Sequence, residues 1–489
     1  MSEGWERRLD NLKDFVNRAK SYGISVYLYL NEPRAMPHAF YEKYPDLRGS
    51  KHDHYTCMCV NNPVTQEYIK DAVEKLCRAV PDLGGFFTIT MSENPTHCLS
   101  RPGEFSEYCP VCSKEPAWKL VSAVNSLITD GVRRVSDSMQ IIVWNWDWND
   151  EWGVPWNDVE TLIKELPEDV SILCQRDERK PFSRGGVDTA VNEYSLSVDG
   201  ISDMTKNTWE LAKKYGHKTA VKLQINNTWE CSTTPYLPVY QTLINHMNSL
   251  IETDVNHLML SWTLGGYPSP SIKLISESFF IENGRKEPDY EFVLKSLYKD
   301  DAEKVKKATD IFCKAFSEFP FNQDVLYYAP HNSGVSNPLY SKPTGYEATM
   351  TCYPYDDIEK WRSIYTIDTL ENQYKKVSDL WEEGLKELDD VSGEIKDIAF
   401  ASYSLFRSSY NQVRFVRLRD SYEKDKSDLI RNEILDIIKS EKMLAKTLYP
   451  IMRRIPEIGF EAANHYYYNA DAVLEKILNC EYLEKYYVK

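Results

Sequence analysis

GGFFTITMSEN, from Gly84 to Asn94, is an apolar run that ends in small polar residues, a carboxylate and an amide. Five further runs end in a similar burst of aromatic, amide and carboxylate residues: SVYLYLNEP (25–33), QIIVWNWDWND (140–150), VSILCQRDE (170–178), KTAVKLQINNTWE (218–230) and HLMLSWTLGGYPS (257–269). Amphipathic helical stretches separate these runs. A buried parallel strand reads as a continuous apolar run, and alternation with helices indicates βα units. The pattern therefore predicts an α/β fold with a parallel sheet.

The fold that repeated βα units predict here is a (β/α)8 TIM-type barrel. A closed barrel needs eight strands, whereas six are visible, at roughly residues 25–265. Nothing after Pro270 resembles another βα unit, so we expect an N-terminally shortened barrel whose other two strands lie before Met1. An open six-stranded α/β sheet is the alternative.

The chain changes character after about residue 275. Helical periodicity with many Lys/Glu pairs at i,i+4 spacing marks four segments: 301–318, 368–390, 394–422 and 427–449. Another amphipathic helix, 5–22, precedes the first strand and ends at Gly23. We therefore predict a barrel catalytic domain over 1–275 and a mainly α-helical C-terminal domain over 276–489. A Tyr/Pro-rich insertion at 327–357 interrupts the helical domain.

The bulk composition limits the partners. A net charge of −16 and a pI near 5.2 argue against a nucleic acid or an anionic membrane. No apolar stretch approaches the ~20 residues that span a bilayer. The eleven cysteines are odd in number and often lie inside apolar runs, which indicates reduced thiols and a cytoplasmic location.

The polar residues at the strand ends predict a site. In a barrel the loops that follow the strands share one face, so these residues converge there. Aromatic rings, amides and carboxylates suit sugar rings and hydroxyl groups, so we expect a carbohydrate as the partner. The substrate-binding candidates are Glu32, Asn94, Asn145, Trp148, Glu193, Gln224, Asn226, Asn227, Trp229, Trp262 and Tyr267. Alternatively, the amides fasten loops and the tryptophans fill the core.

The catalytic candidates are carboxylates. Glu93 follows the barrel's fourth strand and can protonate a glycosidic oxygen, because burial against aromatic residues raises its pKa. The alternative is an acid near a helix N-terminus, with Pro95 in the first turn. Glu230, after the seventh strand, would complete a pair at retaining distance, ~5 Å, unless it is a loop-surface acid. Asp147 is the third candidate, and Glu193 and Glu32 are other options for the second carboxylate.

Three cysteines share the loop after the fourth strand. Cys98, Cys109 and Cys112, close to His97, are speculative ligands of a structural zinc, with Cys57 or Cys59 as a fourth. Their spacing fits no standard zinc module, so free thiols or a redox pair are favoured. No cofactor is required by the rest of the sequence, although a metal-dependent barrel enzyme using His97 and the cysteines is a further hypothesis.

Three segments, YGISVYLYLNEPRAMP, LGGFFTITMSEN and LMLSWTLGGYPSP, resemble glycoside hydrolase family 20, the β-N-acetylhexosaminidase-related group, and its uncharacterised bacterial relatives. The resemblance covers roughly residues 5–275 and implies that Glu93 is the general acid. The family has an Asp-Glu pair there, in which the Asp orients the substrate acetamide; this chain has Ser92 instead. The resemblance also implies a helical domain packed on the barrel, lending Asn332, Tyr340 or His465 to the site.

These observations predict a glycoside hydrolase. We expect an exo-acting enzyme on an N-acetylhexosaminide or related hexoside, with Glu93 as acid/base and Glu230 as nucleophile or stabiliser. The alternative is a non-catalytic carbohydrate-binding pseudoenzyme of the same fold, because Ser92 replaces the family's aspartate and only six strands are visible.

Overall fold

A computed structural model describes residues 3–30, 35–92, 94–262, 267–279, 289–350, 354–461 and 465–488. The chain divides into two compact units. The first unit consists of Met1–Gln175, Thr205–Val221 and Val255–Leu258, and the second of Arg176–Met204, Lys222–Asp254 and Met259–Lys489. The domain boundary that the sequence places at residue 275 stays a prediction.

The strands are short. They are β1 (Tyr27–Leu30), β2 (Met36–Pro37), β3 (Arg48–Lys51), β4 (Tyr55–Met58), β5 (Gly85–Thr88), β6 (Gln140–Trp144), β7 (Ser171–Gln175), β8 (Pro181–Arg184), β9 (Val187–Ala190), β10 (Lys218–Leu223), β11 (His257–Leu260), β12 (Phe460–Glu461) and β13 (His465–Tyr466).

The main sheet has the order β1-β5-β6-β7-β10-β11 and curls into a parallel half-barrel. Its register pairs Tyr27 with Gly85, Gly85 with Gln140, and Ile142 with Ser171. All six apolar runs identified in the sequence form its strands, so the parallel α/β sheet is confirmed. In the part of the chain that the structure describes, β1 and β11 lie at the two ends of the sheet order, so these six strands do not close into a complete barrel.

The helices follow the predicted alternation. They are α1 (Trp5–Lys20), α2 (His38–Lys43), α3 (Pro63–Ala79), α4 (Ala117–Arg133), α5 (Trp156–Glu165), α6 (Asp203–Lys214), α7 (Tyr240–Ile251), α8 (Pro270–Phe279), α9 (Tyr290–Tyr298), α10 (Ala302–Phe316), α11 (Gln323–Tyr328), α12 (Ile358–Trp361), α13 (Ile367–Glu387), α14 (Glu394–Lys424), α15 (Asp428–Arg454) and α16 (Ala470–Val488). The five helices predicted from periodicity correspond to α1, α10, α13, α14 and α15 and are confirmed. None of the helices in the described ranges is both long enough and apolar enough to cross a membrane.

Close packing in the first unit depends on Gly85. Its φ of 155° and its position opposite Gln140 leave no room for a side chain, because an added Cβ would lie 1.9 Å from the Gln140 carbonyl oxygen. On the helices of this unit, α3 buries Ile69 and Val73, and α4 buries Leu120 among others. The apolar helix faces predicted from the sequence thus supply the core of this unit.

The second unit has an aromatic core. Trp381 on α13 is fully buried, stacks on Phe312 of α10 at 4.5 Å, and donates its indole N–H to the Ala399 carbonyl on α14 at 2.9 Å. Between α15 and α16, the buried ion pair of Glu441 and Lys476 closes at 2.6 Å. A buried pair of this kind is stable only with further hydrogen bonds, and Asn411 donates to the same carboxylate at 2.8 Å.

The sequence analysis missed the small antiparallel sheets. The sheet β2-β4-β3 and the hairpin β8-β9 are built from short, largely polar segments. The hairpin nevertheless has a recognisable signal, because Gly185 and Gly186 form its two-residue turn with φ of 57° and 77°. A Gly-Gly pair between two strand-forming runs is typical of such a turn.

Candidate active site

The candidate active site lies in the second unit, where the chain leaves β7 and β10. These strands are neighbours in the sheet order. Arg176 follows β7 directly, and its backbone N–H donates to the carbonyl of Lys222 on β10 at 3.3 Å. Parallel strands end at the same edge of a sheet, which brings their polar residues together.

An ion pair anchors the loop that follows β7. The buried guanidinium of Arg176 donates to the Asp177 carboxylate at 2.8 Å and to the carbonyl of Val198 at 2.8 Å. Asp177 also accepts bonds from the backbone N–H of Ser195 at 3.2 Å and from its hydroxyl at 2.5 Å. All three of these bonds to the carboxylate reach the same oxygen, Oδ2, through which Asp177 fastens Ser195 to Arg176.

Glu193 stands at the start of this loop and is almost completely buried, at 3% exposed. It accepts a hydrogen bond from the hydroxyl of Tyr327 and another from the backbone N–H of Tyr194 at 3.1 Å. Burial raises the pKa of Glu193 to about 7, although the Tyr327 hydroxyl, the Tyr194 N–H and the charge of Lys222 oppose the rise. A carboxyl group with this pKa exchanges a proton near neutral pH.

Lys222 is a buried residue whose charge acts on Glu193. Its ammonium donates to Gln224 Oε1 at 2.6 Å and lies 2.9 Å from the centre of the Tyr194 ring. Burial lowers the pKa of Lys222 well below its ordinary value, and the charges of Glu193 and Asp177 oppose that shift. The lysine and Glu193 therefore influence each other's protonation.

Two half-buried aromatic rings belong to the same cluster. The indole N–H of Trp229 donates to the hydroxyl of Tyr194 at 2.8 Å, and the Trp229 ring meets the ring of Tyr327 edge-on, with centroids 6.0 Å apart. The Trp229 carbonyl accepts from His331 Nε2 at 2.9 Å and from Asn332 Nδ2 at 3.1 Å. Partly exposed aromatic faces of this kind are suited to stacking on a sugar ring.

Glu230, a predicted catalytic residue, is also fully buried but is fastened differently. Its oxygens accept from the backbone N–H of Leu196 at 2.7 Å, the hydroxyl of Thr228 at 2.8 Å and the backbone N–H of Ser197 at 3.2 Å. Burial raises its pKa, while these donors favour the ionised form. Glu230 thus ties two loops together.

The predicted amide ligands of the second unit bond within their own loops. Asn226 donates to the Tyr267 carbonyl at 3.0 Å and accepts from the Ser269 hydroxyl. Asn227 donates to the Ser232 carbonyl at 2.9 Å. Gln224 accepts from the ammonium group of Lys222. These contacts match the alternative interpretation of the sequence, in which the amides fasten loops.

Trp262, Tyr267, Tyr340 and Asn332 are the remaining candidates of the second unit. Trp262 and Tyr267 are half-buried, and burial raises the pKa of Tyr267 to about 12, with Glu394 adding to the rise. Tyr340 is 48% exposed, and its backbone N–H donates to Tyr355. Asn332 does reach the cluster, through Trp229 and through the Ser232 N–H, from which it accepts at 2.7 Å.

Other predicted site residues lie in the first unit. Asn145 and Trp148 are buried, at 2% and 1% exposed, and the backbone N–H of Trp148 donates to the Asn145 carbonyl at 3.1 Å. Asp147 between them has a left-handed φ of 56°. The N–H of Asn94 donates to the hydroxyl oxygen of Ser92 at 3.1 Å.

Some predictions fall outside the described residues. They are Glu32, Glu93 and the side chain of His465. The predicted metal ligands Cys98, Cys109 and Cys112 are buried in the first unit and are treated below.

Several residues of the cluster were not identified from the sequence: Arg176, Asp177, Tyr194, Lys222, Tyr327 and His331. Lys222 could have been identified from the sequence: a lysine inside the apolar strand KTAVKL is costly to bury without partners, so its position indicates that polar residues lie around it. Tyr327 could not, since it lies 134 residues from Glu193 along the chain.

No protein-family model matches the sequence, and no curated protein matches it. Solved structures similar to the chain include a GH138 enzyme that targets pectin rhamnogalacturonan II, at 9% identity and a TM-score of 0.43, covering 96% of this chain and 54% of that one. A GH89 enzyme from Clostridium perfringens, in complex with its substrate GlcNAc-alpha-1,4-galactose, is similar at 10% identity and a TM-score of 0.49, covering 99% and 52%. The chain therefore spans about half the length of these two proteins. A GH20 chitobiase of Flavobacterium johnsoniae is similar at 11% identity and a TM-score of 0.33, covering 91% and 68%.

Proposed function

We propose that this chain is a glycoside hydrolase that acts on an N-acetylhexosaminide or a related hexoside at the end of a glycan. The observation that carries the proposal is the environment of Glu193: a buried carboxyl group with a pKa of about 7 beside the half-buried rings of Trp229 and Tyr327. Glycosidases need two carboxyl groups, one to protonate the leaving oxygen and one to activate water or attack the sugar.

We assign the general base to Glu193; the general acid that the sequence predicts, Glu93, lies outside the described residues. A base whose pKa lies near the working pH accepts a proton from water more readily than an ordinary carboxylate does. Protonated Glu193 would pass its proton back to solvent at the end of each turnover. The Tyr327 hydroxyl would hold the carboxylate in orientation, and the two aromatic rings would position the sugar.

The serine at position 92 supports the proposal that a carboxylate elsewhere in the site acts as the base. In the family that the sequence resembles, the aspartate at this position orients the substrate acetamide, which then attacks the anomeric carbon. Ser92 has no carboxylate, and its hydroxyl oxygen accepts the N–H of Asn94. Without that assistance, water needs another activating group, and Glu193 fits the requirement.

The test uses aryl α- and β-glycosides, including the N-acetylglucosaminide and N-acetylgalactosaminide. Wild type is compared with Glu93→Gln and Glu193→Gln, and the anomer first released from the best substrate is identified by proton NMR. We expect loss of turnover in both variants and inversion at the anomeric carbon, because water activated by a base attacks directly. Retention would overturn the assignment of Glu193 as base, and wild-type turnover in Glu193→Gln would overturn its role altogether.

A non-catalytic carbohydrate-binding protein is the second candidate, and Ser92 is again the observation that favours it. A site that keeps its aromatic rings but lacks the family's aspartate can bind sugar without cleaving it. Calorimetry that detects micromolar binding of an amino sugar, together with no hydrolysis over days, would favour this candidate. Measurable turnover of the same sugar's aryl glycoside would exclude it.

A further inference from the structure

Three buried cysteine thiols meet in the first unit, and a fourth lies beside them. The Sγ atom of Cys59 lies 3.6 Å from that of Cys112 and 3.7 Å from that of Cys109. The three sulfur atoms lie within 4.8 Å of one another. The thiol of Cys98 is a neighbour of these three and donates to the Met58 carbonyl at 3.6 Å. All four side chains are at most 5% exposed.

These separations match one kind of site. In a tetrahedral zinc site with Zn–S bonds of about 2.3 Å, neighbouring sulfur atoms are roughly 3.8 Å apart. A disulfide requires about 2.05 Å between its sulfur atoms, much less than is found here. The thiols of Cys59, Cys109 and Cys112 therefore have the spacing of ligands to a single metal ion.

Hydrogen-bond donors lie next to the sulfur atoms of Cys109 and Cys112. The backbone N–H of Cys112 points at the Sγ atom of Cys109 at 3.5 Å, and the side-chain amide of Asn61 points at the Sγ atom of Cys112 at 3.6 Å. Donors aimed at sulfur favour the thiolate form, which is the form that binds metal. Two of the sulfurs thus have hydrogen-bond donors already in place.

The strand β3 joins the ligand segments. The hydroxyl of Ser50 donates to the Cys98 carbonyl at 2.7 Å and accepts the backbone N–H of Cys109 at 2.9 Å. Gly49 beside it leaves space for the Cys98 thiol, because a Cβ at Gly49 would lie 2.4 Å from that sulfur. This close approach keeps Cys98 among the other thiols.

We propose that Cys59, Cys98, Cys109 and Cys112 bind one zinc ion. Four thiolates complete the tetrahedral shell and leave no position for water, so the ion is structural and not catalytic. It joins the hairpin β3-β4, which leads to Cys59, to the loop after β5, which carries the other three. His97 is not among the proposed ligands; its Nδ1 accepts the backbone N–H of Leu99 at 3.2 Å.

The first experiment is elemental analysis of the full chain purified without chelator. We expect about one zinc per chain in wild type and a loss of at least half of it in Cys112→Ser. Cys57→Ser is the matched control, because Cys57 is a buried neighbour whose thiol faces the Pro95 carbonyl at 3.9 Å, and it should keep its zinc. Zinc below ~0.1 per chain in wild type, iron in its place, or equal loss in both variants would overturn the proposal.

The second experiment uses only the wild-type chain, so it does not depend on whether a cysteine variant folds. Zinc in the wild-type chain is exchanged for cobalt, whose visible spectrum reports the number of sulfur ligands and the geometry. Strong d–d bands and sulfur-to-cobalt charge transfer, of the type given by tetrahedral tetrathiolate sites, are expected. A spectrum of six-coordinate cobalt, or no cobalt uptake by the demetallated chain, would overturn the assignment.

Discussion

Glu193 and Glu230 are both fully buried in the second unit, and burial raises the pKa of each, yet their partners differ in kind. Glu230 is bound by two backbone N–H groups and a threonine hydroxyl from the loops on either side. Glu193 is bound by one backbone N–H and by the hydroxyl of Tyr327, and it senses the charge of Lys222.

The difference shows how to separate a structural carboxylate from a reactive one. Burial alone does not distinguish them, because both residues are buried to a similar degree. Backbone donors move only with the loop, so Glu230 acts as a fixed clamp for residues 196–197. Side-chain donors can reorient when a ligand binds, so Glu193 can exchange a partner for substrate or water. Mutation of each residue should therefore affect different properties.

The largest expected effect is on turnover. Glu193→Gln removes the proposed base and should lower kcat/KM for the best aryl glycoside by about 10²- to 10⁴-fold. Glu230→Gln, the matched buried control, should stay within roughly tenfold of wild type, because the proposal gives Glu230 no part in proton transfer. Steady-state rates are compared at a temperature where circular dichroism shows both variants folded. Equal losses in the two variants would remove the distinction between the carboxyl groups.

The next effect is on stability. Glu230→Ala leaves the N–H groups of Leu196 and Ser197 and the hydroxyl of Thr228 without their acceptor. Each buried donor left unpaired costs about 1–3 kcal/mol, so the free energy of unfolding should fall by at least ~3 kcal/mol. Urea unfolding followed by tryptophan fluorescence measures the change, and Glu230→Gln, which keeps one acceptor oxygen, should lie in between. A loss below ~1 kcal/mol would show that water replaces the carboxylate.

The third effect is a pH dependence of the free energy of unfolding that comes from Glu193. The pKa of Glu193 rises from 4.5 to about 7 on folding, because burial disfavours the ionised form. The folded chain thus holds this proton more tightly, so the carboxyl lowers stability progressively as pH rises from about 4.5 to 7. The stability of Glu193→Gln relative to wild type should increase across that window, by up to about 3 kcal/mol.

Unfolding free energies of both proteins at pH 5.0 and 7.5 provide the measurement. The difference between the proteins cancels the titrating groups that do not interact with Glu193, and it reports Glu193 together with its effect on Lys222. A difference that does not change with pH would show that Glu193 has an ordinary pKa in the folded chain.

The sheet could be predicted from the sequence because its inner strands, such as β7 and β10, are almost wholly buried and leave continuous apolar runs. The outer strands β1 and β11 are partly exposed but also lie in apolar runs, and all six runs form strands. The small sheet that includes β3 could not be predicted, since RGSK has no apolar pattern and is held by contacts such as the one between Lys51 and Glu107, far apart in the chain.

The candidate site was predictable only in part. The sequence pointed to Trp229 because it follows a predicted strand, which is a local pattern, and it offered Glu193 as one option for the second carboxylate. It could not rank Glu193 above Glu230, since the ranking depends on the donors around each carboxylate. Those donors come from distant segments, as Tyr327 does, and no spacing rule reveals them.

The smallest expected effect concerns Tyr327. Its hydroxyl donates to Glu193 and lowers the pKa of that carboxyl against the effect of burial. Tyr327→Phe removes the donor, so the pKa of Glu193 should rise, and the acid limb of the kcat/KM profile should move to higher pH. Because a general base works only when ionised, activity at pH 6 should fall more than activity at pH 8. Trp229→Phe keeps the Tyr327 hydroxyl and serves as the control, since its loss should be the same at both pH values. A profile for Tyr327→Phe that is lowered without being displaced would mean that the tyrosine acts only by packing.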